Sequence, residues 1–257
     1  MSIARVLIVA GSDSGGGAGI QADIKAVTML GGHAMTAITA LTAQNTLGVQ
    51  GVMPVPADVV LAQIDSVVGD LGVDAVKIGM IGSADTAHAL ADRLAALDVP
   101  VVFDPVMVAT SGSVLADDAT IAAFERLMRL AAVVTPNQPE LDALGGEAAV
   151  VARARAVLVK GGHVPGAEVT DRLIAGGAES CWSAPRIDTR HTHGTGCTLA
   201  SGIATGLAQG MTLPAAVERA RRFVRAALAH APGIGAGHGP MGHALGIAPF
   251  DALEPRG

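Results

Sequence analysis

One turn in the second half of the chain carries the strongest chemical signal. Its sequence is His193-Gly194-Thr195-Gly196-Cys197-Thr198. The turn follows an extended segment and opens a helix of small residues, so the N–H groups of Gly194, Thr195, Gly196 and Cys197 form an anion-binding site suited to a transferred phosphoryl group. The helix end is expected to lower the pKa of the Cys197 thiol from about 8.5 toward neutrality, which makes it a candidate general base. A buried cysteine that fills a gap is the alternative, and His193 is expected to orient the loop.

Carboxylates and one cation follow three further strand-like runs. Asp104 comes after Val99–Phe103, at the end of a strand where ligands bind in α/β sheets. Asn137 and Glu140 lie three residues apart, which suits either a magnesium-phosphate site or a helix cap of the capping-box type. Lys160 ends another apolar run and is placed to act as a point charge on a phosphate.

The first strand ends in a glycine loop, Gly11–Gly19. Residues Gly17–Ala22 match a dinucleotide-binding pattern, but the second strand ends without the carboxylate that would hold a ribose. The loop is therefore predicted to cover a substrate, with a ligand-free tight turn as the alternative. Asp23 is expected in the first turn of the next helix, where it would either complement the helix end or bind a ligand amine. The Gln44 amide is able to pair with a heteroaromatic edge.

Alternating apolar and helical runs predict an α/β fold. Runs of strand length are Val6–Ala10, Met35–Thr39, Ala75–Ile78, Val99–Phe103, Ala131–Thr135 and Ala156–Lys160. Helical faces separate them, as in a parallel sheet covered on both sides. Arg172–Ala175 and Glu179–Ile187 predict an antiparallel hairpin at the sheet edge. With no linker or repeat, residues 1–257 are expected to form one domain.

Composition excludes several classes of function. The net charge of −6 disfavours nucleic acid as a partner, and the arginines between 219 and 225 are interpreted as a solvated helix face. The N-terminal apolar run is too short to span a membrane. Because only two cysteines occur, a reducing cytoplasm is expected.

Seven motifs in order resemble the hydroxymethylpyrimidine/phosphomethylpyrimidine kinases of thiamine biosynthesis, in the ribokinase-like superfamily. They are Gly11-Ser12-Asp13-Ser14 through Asp23, Ala40–Thr46, Lys77-Ile78-Gly79-Met80, Asp104-Pro105-Val106-Met107, Thr135-Pro136-Asn137, Lys160-Gly161-Gly162-His163 and Thr192–Thr198. The resemblance covers nearly the whole chain. It implies a three-layer αβα sandwich with a mostly parallel sheet and an antiparallel edge hairpin.

The resemblance also implies ATP-dependent phosphorylation of 4-amino-5-hydroxymethyl-2-methylpyrimidine and then of its monophosphate. Asp23 and Gln44 would hold the pyrimidine, with Gly11, Met80, Val106 and Met107 packed around it. Asn137 and Lys160 would bind ATP, Asp104 and Glu140 would bind Mg²⁺, and Cys197 stands where sugar kinases of the superfamily carry an aspartate base. A homodimer is expected from the relatives.

Two departures and three alternatives accompany this resemblance. Thr110 stands where the family usually has Lys, and residues 144–156 look shortened, which puts the helix before the Lys160 strand in doubt. A pyridoxal kinase, or dual activity, is the nearest alternative. A nicotinamide-dependent oxidoreductase would rest on Gly17–Ala22 alone, and a non-catalytic binding protein would not need Cys197 or Lys160.

Overall fold

A computed structural model describes residues 3–109 and 112–247. The strands are Ala4–Asp13 (β1), Gly32–Asn45 (β2), Gly48–Pro54 (β3), Ala75–Ile78 (β4), Val101–Phe103 (β5), Val133–Val134 (β6), Ala156–Val159 (β7), Glu168–Ala175 (β8) and Ala178–Pro185 (β9). The helices are Gly19–Met29 (α1), Ala57–Asp70 (α2), Ala84–Leu94 (α3), Asp118–Leu130 (α4), Gln138–Ala143 (α5), Glu147–Val151 (α6), Thr195–Ala208 (α7) and Leu213–Ala229 (α8), with a 3-10 turn at Gly161–His163.

The strands form one sheet in the order β3-β2-β1-β4-β5-β6-β7-β8-β9. The six strands from β2 to β7 in this order run parallel, whereas β3, β8 and β9 are antiparallel to their neighbours. Along β1, Leu7 and Val9 face helices α2 to α6, while Ile8 and its neighbours face α1, α7 and α8. Side chains alternate across a strand, so β1 fills two apolar layers at once and the structure is an αβα sandwich.

The predicted strands are confirmed, including the antiparallel hairpin of β8 and β9. Strand β3 was not predicted. Its sequence contains two glycines and a proline and is largely exposed, because β3 lies at the edge of the sheet and has no apolar layer to pack against. The sequence put in doubt a helix within residues 144–156, before β7. Part of this segment does fold as a helix, α6.

The predicted helix faces need two corrections. Ile20 and Val27 of α1 are buried, but Ile24 is 38% exposed because Asp23 takes the inward position beside it. In α8, Arg221 does not belong to a solvated face. Its guanidinium donates to Asp171 at 2.6 Å and to the Trp182 carbonyl at 2.8 Å. Helix α8 therefore holds the β8–β9 hairpin against the sheet.

Asp23 does not lie in the first turn of a helix, as the sequence predicted. Helix α1 begins at Gly19, so Asp23 starts the second turn and is completely buried. Its carboxylate accepts from Nζ of Lys77 at 2.7 Å and from Oγ of Ser201 at 2.7 Å. Burial alone would lower the pKa of Lys77, but the neighbouring acidic groups, of which Asp23 has the largest effect, together outweigh burial and raise it. The pair is therefore an ion pair that joins α1, β4 and α7.

We predict that breaking this pair is costly and that removing both charges is not. Lys77→Met leaves a buried carboxylate without a counterion and should lower the free energy of unfolding by about 3–5 kcal/mol. The double variant Asp23→Leu/Lys77→Met should recover most of that loss in urea unfolding. As a control, Arg129→Met breaks the exposed Glu125–Arg129 pair and should cost less than about 1 kcal/mol. Equal losses from Lys77→Met and Arg129→Met would contradict the assignment.

The segment after α8 is an ordered loop. The N–H of His238 donates to the Thr46 carbonyl at 2.9 Å, and the N–H of His193 donates to the Gly239 carbonyl at 3.2 Å. Further along, His243 is buried, and its Nε2 lies 2.9 Å from Oγ1 of Thr198 on α7. Burial lowers the pKa of His243 to about 4. The described residues contain no helix long and apolar enough to cross a membrane.

We predict that His243 makes the fold acid-sensitive. Its folded pKa lies below the ordinary 6.5, so its contribution to stability is complete above about pH 6.5 and is lost as the pH falls toward 4. Between about pH 7.5 and pH 5, His243→Gln should lose about 2 kcal/mol less unfolding free energy than the unsubstituted chain. The exposed His88→Gln should keep the original pH dependence. Parallel urea series measure this, and identical slopes for all three chains would contradict it.

Candidate active site

The carboxyl ends of the parallel strands open into a cavity of about 940 Å³. All but one of the predicted site residues line it. These are Gly11, Gln44, Met80, Asp104, Val106, Met107, Asn137, Glu140, Lys160, Gly194, Thr195, Gly196 and Cys197. The exception is Asp23, whose carboxylate is buried against Lys77 and Ser201 outside this lining. The expected contact of Asp23 with a ligand amine therefore has no support in this structure.

The turn before α7 depends on a glycine. Gly194 has φ 84°, and a Cβ at this position would lie 2.0 Å from the Gly17 carbonyl oxygen. The backbone of the turn thus contacts the first glycine loop directly. Because no side chain fits between them, the start of α7 is brought to the cavity.

The anion-binding site at α7 is smaller than the sequence predicted. The Thr195 N–H donates to the Thr192 carbonyl at 3.3 Å, so it is already used. Among residues 3–109 and 112–247, the N–H groups of Gly194, Gly196 and Cys197 have no acceptor. These three donors, at the positive end of a 14-residue helix, are available to an anion.

Lys160 lies between two carboxylates. Its Nζ is 2.7 Å from Oδ1 of Asp104 and 3.6 Å from Oε2 of Glu140. Thr135 donates a second hydrogen bond to Oδ1 of Asp104 at 2.9 Å. Burial alone would lower the pKa of Lys160, but the two carboxylates raise it, so the ammonium is charged. Burial raises the pKa of Glu140, although Lys160 opposes this.

Asn137 and Glu140 form the capping box that the sequence left open. The Glu140 N–H donates to Oδ1 of Asn137 at 2.9 Å, and the Asn137 N–H donates to Oε2 of Glu140 at 2.8 Å. Within the described residues, Oε1 of Glu140 and Oδ2 of Asp104 have no hydrogen-bond donor. A cap and a ligand contact therefore coexist at Glu140.

A magnesium ion fits this pair only together with a ligand. The described part of the chain contains no group of three or more His, Cys, Asp or Glu side chains that would hold a metal. Mg²⁺ commonly binds through one or two carboxylates plus substrate phosphates. Asp104 and Glu140 supply that number of carboxylates.

Gly196 lies where the first turn of α7 approaches the ion pair of Asp104 and Lys160. A Cβ at Gly196 would lie 3.3 Å from Oδ2 of Asp104 and 3.3 Å from Nζ of Lys160. The first turn of α7 therefore faces the ion pair across a gap that a glycine keeps open. Backbone donors, an ammonium and a carboxylate converge there, as a polyphosphate site requires.

The predicted low pKa of Cys197 is wrong for this structure. Burial raises the pKa of the thiol to about 11, and the Asp23 and Asp104 carboxylates add to the rise. Lys77 and the Gly19 N–H favour the thiolate but are outweighed. The position at the helix end is as expected, but loss of hydration has the larger effect. At neutral pH the resting chain carries a neutral thiol.

We predict that alkylation of Cys197 shows this high pKa. In a Cys181→Ser background, which removes the exposed cysteine, the iodoacetamide rate should rise nearly tenfold per pH unit from about pH 7 to pH 9.5. Mass spectrometry of the peptide that contains Cys197 measures the rate. The reciprocal Cys197→Ser chain controls for Cys181. A rate that levels off below about pH 8 would contradict the raised pKa.

Another part of the cavity wall is apolar. A Cβ at Gly11 would lie 3.0 Å from Sδ of Met80, so the thioether packs flat on the Gly11 backbone. Met107 is also buried on the cavity wall, and Gln44 is half-buried there. This part offers aliphatic walls and one side-chain amide to a flat ring. Thr110 lies outside the described residues, although Val108, Ala109 and Gly112 beside it line the cavity.

The structure adds residues that the sequence analysis missed. Asp13 is buried on the cavity wall, and its Oδ2 lies 3.0 Å from Nε2 of His193. The pKa of Asp13 is lowered because the hydrogen bonds from His193 and backbone N–H groups outweigh its burial. Arg221 and Arg225 of α8 also line the cavity. The position of Asp13 in the first glycine loop could have marked it as a site residue. Its partner, His193, is 180 residues away, so the sequence did not indicate the contact.

Comparison with known proteins agrees with this geometry. Residues 13–242 match a family described as phosphomethylpyrimidine kinase. A hydroxymethylpyrimidine/phosphomethylpyrimidine kinase of Streptomyces coelicolor is 48% identical over 252 residues, which is 93% of this chain and 93% of that protein.

Two solved structures are also similar. An ADP complex of Bacillus subtilis pyridoxal kinase superposes with a TM-score of 0.87 at 31% identity, covering 95% of this chain and 98% of that one. A phosphomethylpyrimidine kinase from Clostridium difficile superposes with a TM-score of 0.76 at 33% identity, covering 87% and 98%. The expected ribokinase-like fold is thereby confirmed, and the chain belongs to the phosphomethylpyrimidine kinase family.

Proposed function

We propose that this chain transfers the γ-phosphoryl group of ATP to 4-amino-5-hydroxymethyl-2-methylpyrimidine and then to its monophosphate. The observation that carries this proposal is the approach of α7 to the ion pair, where a Cβ at Gly196 would lie 3.3 Å from both Asp104 and Lys160. Donors for a phosphoryl group and the Gln44 amide thus line one cavity. A relative whose name carries both kinase activities supports both substrates.

The phosphoryl group is transferred at the start of α7. The alcohol oxygen forms a bond to the γ-phosphorus while the bond to the ADP oxygen breaks. Charge that develops on the phosphoryl oxygens is stabilised by the N–H groups of Gly194, Gly196 and Cys197 and by the ammonium of Lys160. The thiolate form of Cys197 accepts the alcohol proton. Burial makes this form scarce but also strongly basic.

Nucleotide and magnesium are assigned to the half of the cavity around Lys160. Asn137 and Lys160 bind the phosphates of ATP, and Asp104 and Glu140 would hold Mg²⁺ through their open carboxylate oxygens. When bound, Mg²⁺ neutralises phosphate charge. An ADP complex of a structural neighbour supports a nucleotide in this fold.

The chain is also proposed to act as a homodimer in the cytoplasm. The β2–β3 hairpin exposes Leu47, Val52 and Met53, with 68%, 43% and 58% of each residue accessible, and a partner subunit would cover these apolar groups. The free thiols Cys181 and Cys197 agree with a reducing compartment.

Pyridoxal is the second candidate substrate. The structural neighbours include pyridoxal kinases, and pyridoxal carries a similar primary alcohol. Gln44 favours the aminopyrimidine, because its amide is able to accept from the amino group and to donate to the adjacent ring nitrogen. The preference for one substrate over the other therefore depends on the Gln44 side chain.

We predict that steady-state assays separate these substrates. ADP release should be efficient with the hydroxymethylpyrimidine and its monophosphate, and weaker with pyridoxal. Gln44→Leu should raise KM for the pyrimidine about tenfold through the lost hydrogen bonds and leave KM for ATP nearly unchanged. Gln50→Leu, an exposed substitution outside the cavity, is the matched control. Absence of turnover with either pyrimidine would refute the proposed function, and equal KM changes for both substrates would refute the role of Gln44.

A further inference from the structure

The Gln44 amide has a defined neighbour at each end. As placed in the structure, the amide nitrogen lies 3.3 Å from Nε2 of His193, and the amide oxygen lies 3.1 Å from Oγ1 of Thr42. The nitrogen and oxygen of an amide are nearly equal in size, so packing does not distinguish the two orientations. The hydrogen-bonding capacity of the neighbours decides which end donates and which accepts.

Asp13 determines where the His193 proton lies. Its Oδ2 accepts from the N–H groups of Gly17 at 2.9 Å and Ala18 at 2.8 Å, and its Oδ1 accepts from Gly15 at 2.8 Å. A carboxylate held by these donors is ionised and only accepts. Since Oδ2 also lies 3.0 Å from Nε2 of His193, that nitrogen carries a proton. A protonated Nε2 calls for an acceptor, so the amide oxygen, not the amide nitrogen, belongs at the end that faces His193.

Thr42 leads to the same orientation independently. Its Oγ1 lies 2.9 Å from the Ser12 carbonyl oxygen, which only accepts. The single hydroxyl proton of Thr42 is used in that bond, so Oγ1 is an acceptor toward Gln44. The NH₂ group therefore belongs at the end that faces Thr42, which requires the amide to be turned by 180°.

We propose that His193 and Thr42 are positioning residues that lock the Gln44 amide with its oxygen toward His193 and its NH₂ toward Thr42, and that this lock selects the substrate. The selection rests on the proposed function. In the aminopyrimidine, the amino donor adjoins the hydroxymethyl-bearing carbon and a ring-nitrogen acceptor follows. In pyridoxal the corresponding positions carry an aldehyde oxygen, which accepts, and a hydroxyl, which donates. With the hydroxymethyl group at the start of α7, the amino donor lies on the His193 side, where it meets the amide oxygen, and the ring nitrogen meets the NH₂ group. A fixed amide then matches the order of the aminopyrimidine and opposes that of pyridoxal.

The orientation is measurable without any substrate. In a ¹⁵N-edited NOE spectrum of the full chain, the Gln44 side-chain NH₂ is identified by its disappearance in Gln44→Glu. We expect NOEs from these protons to the Thr42 methyl and Hβ. Strong NOEs to the His193 ring protons, without those to Thr42, would overturn the proposed lock.

Kinetics test the selection. His193→Leu and Thr42→Val should each lower the ratio of kcat/KM for the aminopyrimidine to that for pyridoxal about tenfold, through KM for the aminopyrimidine. Where pyridoxal turnover is absent, its competitive Ki replaces KM. His193→Gln and Thr42→Ser retain a donor and a hydroxyl and should restore the ratio. Equal losses of kcat/KM for both substrates would show that His193 and Thr42 have only a structural role. Failure of His193→Gln and Thr42→Ser to restore the ratio would show the same.

Failure of this inference and failure of the proposed function are distinguishable. If the unsubstituted chain does not phosphorylate the aminopyrimidine, the proposed function fails, whereas the NOE pattern still decides the amide orientation. If the unsubstituted chain is active and the variants leave the substrate ratio unchanged, the inference fails and the function stands.

Discussion

The site depends on one backbone contact, between Gly194 before α7 and Gly17 in the first glycine loop. A Cβ at Gly194 would lie 2.0 Å from the Gly17 carbonyl oxygen, and a Cβ at Gly17 would lie 2.5 Å from the His193 ring. No side chain larger than hydrogen fits at either place. The contact places the N–H groups at the start of α7 on the cavity wall and holds His193 beside Asp13. The phosphoryl end and the ring end of the cavity are thereby parts of one rigid arrangement.

In the proposed function, the charges around Lys160 favour joint entry of nucleotide and cation. Lys160 is already paired with Asp104 and lies 3.6 Å from Glu140, so the local charge is negative before any ligand arrives. A polyphosphate alone would be repelled by the two carboxylates. A divalent ion that shares their open oxygens removes this repulsion and leaves the ammonium to the phosphate. In the proposed function, the carboxylates would therefore make phosphate binding conditional on the cation.

The sequence predicted the parallel strands well because each is a short apolar run that ends at a glycine, proline or acid. Strand β3 was not predicted from the sequence, because an exposed edge strand needs no apolar pattern. Most predicted site residues line the cavity because strand ends of a parallel sheet converge at one edge. Asp23 was misplaced because its partner, Lys77, is 54 residues away, and nothing local distinguishes a buried carboxylate from a ligand contact.

Cys197 and Gln44 show what local reasoning omits. At Cys197 the helix end was identified correctly, but burial and two carboxylates from other segments raise the pKa to about 11. At Gln44 the residue type predicts only that one donor and one acceptor are present. Their order is set by Asp13, acting through His193, and by Ser12, acting through Thr42. Substrate choice in this cavity is therefore a property of distant residues that the fold brings together, and a substitution that leaves Gln44 intact is able to change it.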